Sequence, residues 1–327
     1  MERQDLERKI KEHSLRYEPD FYRIGITYLR DEISKIPYQI ILNERRKEEG
    51  RVGSMQSFSE SVDEFRKGNY NNTTILFDYK IDDGSLFYVA LNPRPIFKGA
   101  LVLIRNLSEE RNVDKEIDKK DLETILRFSK IMDIVVWHNM SGSGATIKEA
   151  HWQSFFYQDF NITQFQREKL NGSEIYTMPK YPGENFVFSG ENKIEECLEL
   201  VEYLNSRTFK DARPLLTEDL QPKIYEKQKL KHTPYCLIVA NDEIYLIPVK
   251  NEYAALSLGL GRARIGGAEL GLPGIITTEN IDYNKINGGE AIINGRKIIL
   301  SPREIHEHAL FEHGVMIFEL GLYKYVA

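Results

Sequence analysis

The sequence predicts an α+β fold, and two kinds of local pattern support that class. Short strand-like runs are joined by tight turns, as in residues 235–240 and 243–249 on either side of Asn241-Asp242. Two other segments, residues 119–132 and 193–205, carry apolar side chains at helical spacing. Helices and strands therefore alternate along one chain.

The elements can be placed in order. They are a charged helix over 2–17, strands over 36–43, 73–79, 85–91 and 101–105, a helix over 119–132, a strand within 145–157, a strand over 186–188, a helix over 193–205 and the hairpin strands 235–240 and 243–249. Residues 58–72 are polar and predict an irregular connection. Asp121 is the candidate N-cap of the second helix.

Length and charge limit the classes of function. The chain has 327 residues with 41% hydrophobic content, which is enough for one large core or two closely joined halves. With 44 Lys+Arg against 50 Asp+Glu, the net charge is −6. No segment has the sustained basic character of a nucleic-acid binder. The expected partners are small anions met in a local cationic pocket.

The cysteines and the N-terminal residues point to the cytoplasm. Cys197 and Cys236 have neither metal-ligand nor disulfide-framework spacing, so no structural metal is expected. The first residues are charged and lack the apolar core of a signal peptide. No stretch approaches the roughly 18 consecutive apolar residues that would cross a bilayer, so no membrane partner is expected.

The segment ATIKEAHWQSFFY, residues 145–157, is the best candidate for chemistry. Alternation along a strand would place Glu149, His151 and Gln153 on one face and Trp152 on the other. A neutral imidazole is a competent nucleophile near neutral pH, and a glutamine two residues on can hold a phosphoryl oxygen without adding charge. The same pattern is also typical of an amphipathic strand with a hydrogen-bonded histidine.

A small, polar turn precedes this strand. Residues 138–144 follow the apolar run 131–137 and include Gly142, Ser143 and Gly144, whose backbone N–H groups could approach an anion closely. The order of strand, turn and histidine strand therefore suits a phosphate site.

These residues resemble the histidine-triad superfamily, in the branch of galactose-1-phosphate uridylyltransferase, the diadenosine tetraphosphate phosphorylases and the GDP-L-galactose (GDP-hexose) phosphorylases. The last group is the most similar, and its pieces occur in the same order over roughly residues 35 to 285. They are Leu42-Asn43-Glu44-Arg45-Arg46, Leu91-Asn92-Pro93-Arg94-Pro95-Ile96, Asn139 with Gly142 and Ala145-Thr146-Ile147, His151-Trp152-Gln153, Tyr181-Pro182, residues 238–248, and Glu269-Leu270-Gly271 with Asp282-Tyr283.

The chain departs from the family motif His-x-His-x-Gln at its first histidine. That position is Glu149, the family's preceding asparagine is Lys148, and the histidine of the second segment is Ala100. His151 still matches the nucleophile and Gln153 the glutamine. Because a carboxylate repels a phosphate, Glu149 is expected to pair with a cation or to face a hydroxyl or the leaving group.

The resemblance implies a fold of antiparallel sheets with packed helices in two related halves, residues 1–172 with the nucleophile and residues 173–327. It also implies nucleotidyl transfer without a cofactor: His151 attacks a nucleoside diphosphate-linked substrate, a nucleotide sugar or dinucleotide, and phosphate or a phosphorylated acceptor completes the reaction. Gln153 and the Ser143-Gly144 backbone would stabilise phosphoryl oxygens. Further substrate contacts are expected from Arg46, Asn92, Arg94, Asn139 and Lys148. A homodimer is compatible with this interpretation.

Two alternatives from other classes remain. If Glu149 spoils the site, the protein would be a nucleotide-binding sensor without turnover. If water is the acceptor, it would be a hydrolase that releases a nucleoside monophosphate.

Two further segments carry residue types that could support chemistry. Residues 256–274 are glycine-rich but lack dinucleotide-fingerprint spacing, and they are expected to form a partly cationic loop in which Arg262 and Arg264 could meet phosphate. The histidines and glutamates of residues 304–313 are the one place where metal ligation could be argued, because Glu304 and His308 would share a helical face, but no HExxH spacing is present. The segment favours a charged helix before a closing strand over 315–326. No metal is expected at either place.

Overall fold

The computed structural model describes somewhat less than half of the chain. The described residues are 3–16, 28–30, 39–41, 67, 75–80, 86–92, 100–105, 117–140, 150–155, 161–170, 173–179, 181, 184–206, 234–249, 253–256, 261–264, 290–293 and 296–299. Within them lie the helices α1 (Arg3–Arg16), α2 (Lys119–Met132) and α3 (Lys193–Ser206), and a short 3₁₀ helix (Asn161–Gln164). The three helices confirm the helical segments predicted from periodicity.

Sixteen strands are defined in the same part of the chain. They are β1 (Tyr28–Arg30), β2 (Gln39–Ile41), β3 (Ile75–Lys80), β4 (Leu86–Leu91), β5 (Leu101–Arg105), β6 (Val135–Asn139), β7 (His151–Phe155), β8 (Glu168–Lys169), β9 (Ile175–Thr177), β10 (Phe186–Phe188), β11 (Tyr235–Ala240), β12 (Glu243–Pro248), β13 (Tyr253–Leu256), β14 (Gly261–Arg264), β15 (Glu290–Ile293) and β16 (Arg296–Ile299).

Ten of these strands form one sheet. Its order is β3-β4-β5-β7-β6-β11-β12-β10-β9-β8, and each neighbouring pair is antiparallel. The remaining strands pair as β1-β2, β13-β14 and β15-β16. The predicted fold class, antiparallel sheet with packed helices, is confirmed.

The large sheet consists of two groups of five strands with the same order. From its outer edge, the first group runs β3-β4-β5-β7-β6 and the second runs β8-β9-β10-β12-β11. A helix comes before the last hairpin in each group, α2 before β6 and α3 before β11. The groups meet where β6 pairs with β11. The division at residues 172 and 173 into two related halves stays a prediction.

The helices cover one face of this sheet. Leu6 of α1, Phe128 of α2 and Leu200 of α3 belong to the same buried apolar cluster as Trp152 and Leu237 of the sheet. Burying about 150–250 Å² of each aromatic side chain is a large hydrophobic contribution. The core therefore lies between the three helices and the joined strands.

The opposite face of the sheet carries the candidate site. Because side chains alternate along a strand, the neighbours of Trp152, Leu103 and Val136 point away from the helix-covered core. His151 and Gln153 lie on this second face, as predicted. The face is also buried around β7, since Val102, Ile104 and Trp137 are almost inaccessible to solvent.

Helix α2 begins at a capping box, and its N-cap is Asp118. The predicted N-cap, Asp121, is wrong, because Asp121 occupies the third helical position. Asp118 Oδ1 accepts a hydrogen bond from the Asp121 backbone N–H at 2.8 Å, and Asp121 Oδ2 accepts one from the Asp118 N–H at 3.2 Å. Arg105 donates to both carboxylates, at 2.7 Å each.

The hairpin of β11 and β12 follows its predicted turn chemistry. Asn241 and Asp242 have φ angles of 51° and 64°, which these two residue types tolerate well and which match the right-handed twist of the strands. Every residue of β11 is then paired with one of β12, from Tyr235↔Pro248 to Ala240↔Glu243. The predicted strand boundaries are confirmed to within one residue.

Two loop predictions are wrong in part. His138 and Asn139, which the sequence predicts in a turn, form the end of β6, where they pair with β7 or β11. Residues 261–264 of the expected cationic loop form β14, in register with β13. Backbone hydrogen bonds sustain such a hairpin without an apolar side-chain pattern, which is why periodicity missed it. The segments 304–313 and 315–326 lie outside the described residues.

None of the helices described is long and apolar enough to span a bilayer.

Candidate active site

The structure describes four of the predicted site residues. Asn92, Asn139, His151 and Gln153 can be placed. The other expected contributors lie outside the described residues: Arg46, Arg94, Gly142, Ser143, Gly144, Lys148 and Glu149. The cationic, glycine-rich side of the site therefore stays a prediction.

His151 and Gln153 touch each other on one face of β7. The His151 Nε2 and Gln153 Nε2 atoms are 3.2 Å apart. An amide nitrogen donates and cannot accept, so the imidazole Nε2 accepts in this contact. The ring is thereby the neutral tautomer protonated at Nδ1, with its Nε2 lone pair directed at the glutamine.

The strands on either side of β7 enclose this pair. In register, Ile104 of β5 lies beside His151, and Val102 lies beside Gln153. On the other side Trp137 of β6 is paired with Gln153. These neighbours are apolar or aromatic, and His151 is 1% exposed. The imidazole therefore lies in surroundings of low polarity, where electrostatic interactions are stronger than in water.

Asn139 lies on the same face, two residues beyond Trp137 along β6. Its side chain is buried, and its Oδ1 accepts a hydrogen bond from Cys236 Sγ at 3.3 Å. The backbones of Asn139 and Cys236 are also paired in register. The structure therefore brings Asn139 close to the site-face side chains of β7, His151 and Gln153. The Asn139 side-chain amide is held by Cys236 of the neighbouring strand β11.

Asn92 lies farther away. It follows β4, and its backbone N–H donates to the Ala100 carbonyl at 2.9 Å, which closes the connection from β4 to β5. Because Leu101 pairs with Ser154, this end of β5 is next to the end of β7 opposite His151. Asn92 is thus two strands from β7 and remote from Nε2, and its proposed substrate contact stays a prediction.

His138 is a second buried histidine that the sequence reasoning did not single out. Its Nδ1 lies 2.8 Å from the backbone carbonyl oxygen of His151, and its ring contacts Trp152, with 5.1 Å between centroids. Burial lowers the pKa of His138 from 6.5 to about 3, so the ring is neutral near pH 7. Its alternation with Trp137 places it on the helix-covered face.

A polar cluster lies on the His151 face three strands away. Arg167 pairs with Glu243 and donates to the Tyr245 hydroxyl at 2.6 Å. That hydroxyl donates to Glu243 Oε2 at 2.9 Å. Burial raises the pKa of the Tyr245 phenol, so the group stays protonated. Every member has a partner, and the cluster connects the start of β8 to β12.

No group of three potential metal-ligating side chains occurs among the residues that the structure describes. The described part of the site consists of an imidazole, two amides and apolar walls. Such a set can supply a nucleophile and hydrogen bonds to an oxygen.

Comparisons with known proteins identify the fold. No protein-family model matches the chain, and no curated protein matches it in sequence. The solved structure of yeast Ap4A phosphorylase Apa2 in complex with AMP matches with a TM-score of 0.60 and 14% identity, over 96% of this chain and 97% of that one. The same yeast enzyme in complex with Ap4A matches with a TM-score of 0.61 and 11% identity, over 95% and 97%.

These matches extend over nearly the whole of both chains, so the two proteins share one fold. At such identities the likeness concerns the fold alone. Ap4A is diadenosine tetraphosphate, and its phosphorylases are one of the groups that the sequence resembles. The fold expected from that branch is therefore confirmed, whereas the GDP-hexose group stays a prediction.

Proposed function

We propose that the protein is a nucleotidyltransferase of the phosphorylase type, with His151 as its nucleophile. The observation that carries the proposal is the contact between His151 Nε2 and the Gln153 amide at 3.2 Å, on the sheet face opposite the helices. The contact joins the two residues that match the family's nucleophile and glutamine. The shared fold with an Ap4A phosphorylase supports the same activity.

The reaction has two displacements. His151 Nε2 attacks the α-phosphorus, a P–N bond forms, and the P–O bond to the leaving phosphate breaks with its electron pair on oxygen. A phosphate oxygen then attacks the nucleotidyl-histidine, a P–O bond forms, and the P–N bond breaks. The products are a nucleoside diphosphate and the leaving group, and His151 returns to its neutral form.

Gln153 changes partner during the first displacement. While its amide donates to Nε2, the lone pair required for attack is occupied. When a phosphate enters, the same amide can donate to a nonbridging oxygen instead, which frees Nε2 and stabilises the charge of the transition state. A neutral amide suits this exchange because it does not repel the phosphate.

A dinucleoside polyphosphate is the better supported substrate. The solved structures that share the fold hold Ap4A or AMP, and a GDP-hexose is supported by sequence likeness alone. The change of the family's first histidine to Glu149 also argues against direct transfer of the GDP-hexose specificity. We therefore place diadenosine tetraphosphate first and nucleoside diphosphate hexoses second.

The two groups of five strands support two related halves, residues 1–172 and 173–327. Each group contains three strands, a helix and a hairpin in the same order, although β8 (Glu168–Lys169), the first strand of the second group, lies before the predicted division at residues 172 and 173. In this proposal β12 corresponds to β7, so Glu243 and Tyr245 occupy the strand of the second group that corresponds to the nucleophile strand, and Arg167, just before β8, is linked to both. Only the first half would then supply a nucleophile, His151.

The test is detection of the covalent intermediate. The protein is incubated with Ap4A and with a panel of nucleoside diphosphate hexoses, without phosphate, and its intact mass is measured. We expect an added nucleoside monophosphate in the wild type and none in His151→Ala. Added phosphate should release a nucleoside diphosphate, whereas release of a monophosphate would identify a hydrolase.

A nucleotide-binding sensor without turnover is the second candidate. One observation favours it: His151 is 1% exposed, and its Nε2 is in contact with the Gln153 amide. The sensor would bind Ap4A or AMP with measurable affinity but form no adduct at any phosphate concentration. Calorimetric binding together with an unchanged protein mass across the panel would replace the enzyme by the sensor.

A further inference from the structure

We infer that His138 is a positioning residue for His151, because it holds the backbone carbonyl of the nucleophile from the helix-covered face of the sheet. The inference rests on the proposed function. His138 lies outside the segment that matches the family motif His-x-His-x-Gln. It acts through the main-chain carbonyl of His151 rather than on the substrate.

The hydrogen bond has a fixed direction. A carbonyl oxygen only accepts, so His138 Nδ1 carries the proton and donates it across 2.8 Å to the His151 oxygen. The other ring nitrogen, Nε2, is buried and has no hydrogen-bond partner among the described residues. The ring therefore makes one polar contact here, and that contact is to the nucleophile's own peptide group.

The surroundings keep this donor in place. His138 is paired with Trp152 across β6 and β7, and the two rings are tilted by 46° at 5.1 Å. Packing in the core restricts the rotation of both side chains. The ring is also neutral, so it carries no charge that would draw it toward water.

His151 is consequently contacted by side chains from both faces of the sheet. Gln153 contacts its Nε2 on the site face, and His138 contacts its carbonyl on the helix face. The carbonyl carbon is bonded to the His151 Cα, so restraining the carbonyl also restrains the direction of the Cα–Cβ bond. His151 is the first residue of β7. The backbone of His151 is also paired with Ile104 of β5, so the His138 donor adds a restraint from β6 on the residue that directs Nε2.

Three variants of His138 distinguish the effect of losing the hydrogen-bond donor from the effect of losing the aromatic ring. His138→Phe keeps an aromatic ring against Trp152 and loses the Nδ1 donor. His138→Asn loses the ring but keeps a donor at the same place, since the amide nitrogen and Nδ1 are both bonded to Cγ. His138→Gln carries its amide one bond farther out, where it reaches the position of Nε2.

The measurement is the rate of nucleotidyl-His151 formation in a single turnover with Ap4A or the panel hexose nucleotide that labels the wild type, together with the affinity for AMP. We expect His138→Phe to slow the adduct step on the order of 100-fold, as for a misplaced reacting group, with unchanged AMP affinity. His138→Asn should recover most of the rate, and His138→Gln should not.

Each other result is decisive. A wild-type rate in His138→Phe overturns the inference while leaving the proposed function intact. Equal losses in the Asn and Phe variants, or a loss of AMP affinity in step with the rate, also overturn it, because the ring would then serve packing alone. If His138→Phe does not fold, His138→Asn and His138→Gln are compared with each other. A faster adduct step in His138→Asn supports the inference, and equal rates overturn it. A wild type that forms no adduct removes the proposed function and the inference together.

Discussion

The Nε2 atoms of His151 and Gln153 lie 3.2 Å apart, so the glutamine occupies the lone pair that the histidine needs for attack. The contact makes Gln153 both a restraint on the resting nucleophile and a donor for the phosphate. A residue with these two roles should affect the chemical step more than binding.

Replacing Gln153 tests that expectation. Gln153→Ala should lower the rate of adduct formation on the order of 100- to 1000-fold, the usual effect of losing a donor to a developing oxyanion. Gln153→Glu has the same size but brings a negative charge to the phosphate, and it should be at least as slow. Rapid-quench measurement of labelled protein gives both rates. A rate in Gln153→Ala equal to that of the wild type would contradict the proposed exchange of partners.

Tyr245→Phe provides a matched control on the same sheet face. It removes one hydroxyl, which links Arg167 to Glu243 at 2.6 and 2.9 Å, three strands from Gln153. The loss of such hydrogen bonds should lower the free energy of unfolding by about 1 to 2 kcal/mol. Urea denaturation should show this loss, and the adduct rate should stay at the wild-type value. A slower adduct step would mean that the cluster belongs to the active site.

The N-cap of α2 gives a second test of stability. Asp118→Ala removes the acceptor for the Asp121 N–H and one of the two carboxylates that bind Arg105. We expect a loss of about 1 to 2 kcal/mol, the upper part of the range for N-cap replacements. Asp118→Asn keeps the capping oxygen and should lose less. Equal losses in the two variants would show that the ion pair with Arg105, rather than the cap, stabilises this helix end.

The sequence was sufficient for the central pair of the site because the two-residue period of a strand is a local property. His151 and Gln153 had to share a face once their segment was a strand. The cap was misplaced because Asp118 and Asp121 both fit the residue preference at a helix start. Local patterns therefore predicted the three helices and the longer strands with small errors at their ends, and they missed the short strands β8 and β9 and the hairpins β13-β14 and β15-β16.

The contacts between distant residues could not be obtained in this way. His138 meets the carbonyl of His151 from 13 positions away, and Arg167 meets Glu243 from 76 positions away. Such contacts depend on strand order and register, which a single sequence does not determine. The pairing of β6 with β7 brings His138 to His151, and the order β12-β10-β9-β8 places the segments of Glu243 and Arg167 in one sheet.

The last prediction concerns the pH dependence of stability. Burial lowers the pKa of His138 from 6.5 to about 3 in the folded protein, and the unfolded chain regains the ordinary value. Between these values the unfolded chain binds one more proton, so acidification favours unfolding by up to about 1.4 kcal/mol per pH unit. Above the ordinary pKa of histidine, His138 is neutral in both the folded and the unfolded chain, so it adds nothing to the pH dependence of the free energy of unfolding.

His138→Phe isolates this effect, because the carboxylates and the remaining histidines titrate in both proteins. Urea denaturation between about pH 4 and pH 7 should show the wild type losing stability on acidification more steeply than the variant. The difference between the two curves should be constant above the ordinary pKa of histidine and change only below it. Parallel curves over the whole range would mean that His138 takes up a proton in the folded protein at the same pH as in the unfolded chain. The assignment of a buried, neutral His138 ring as the donor to His151 would then be wrong.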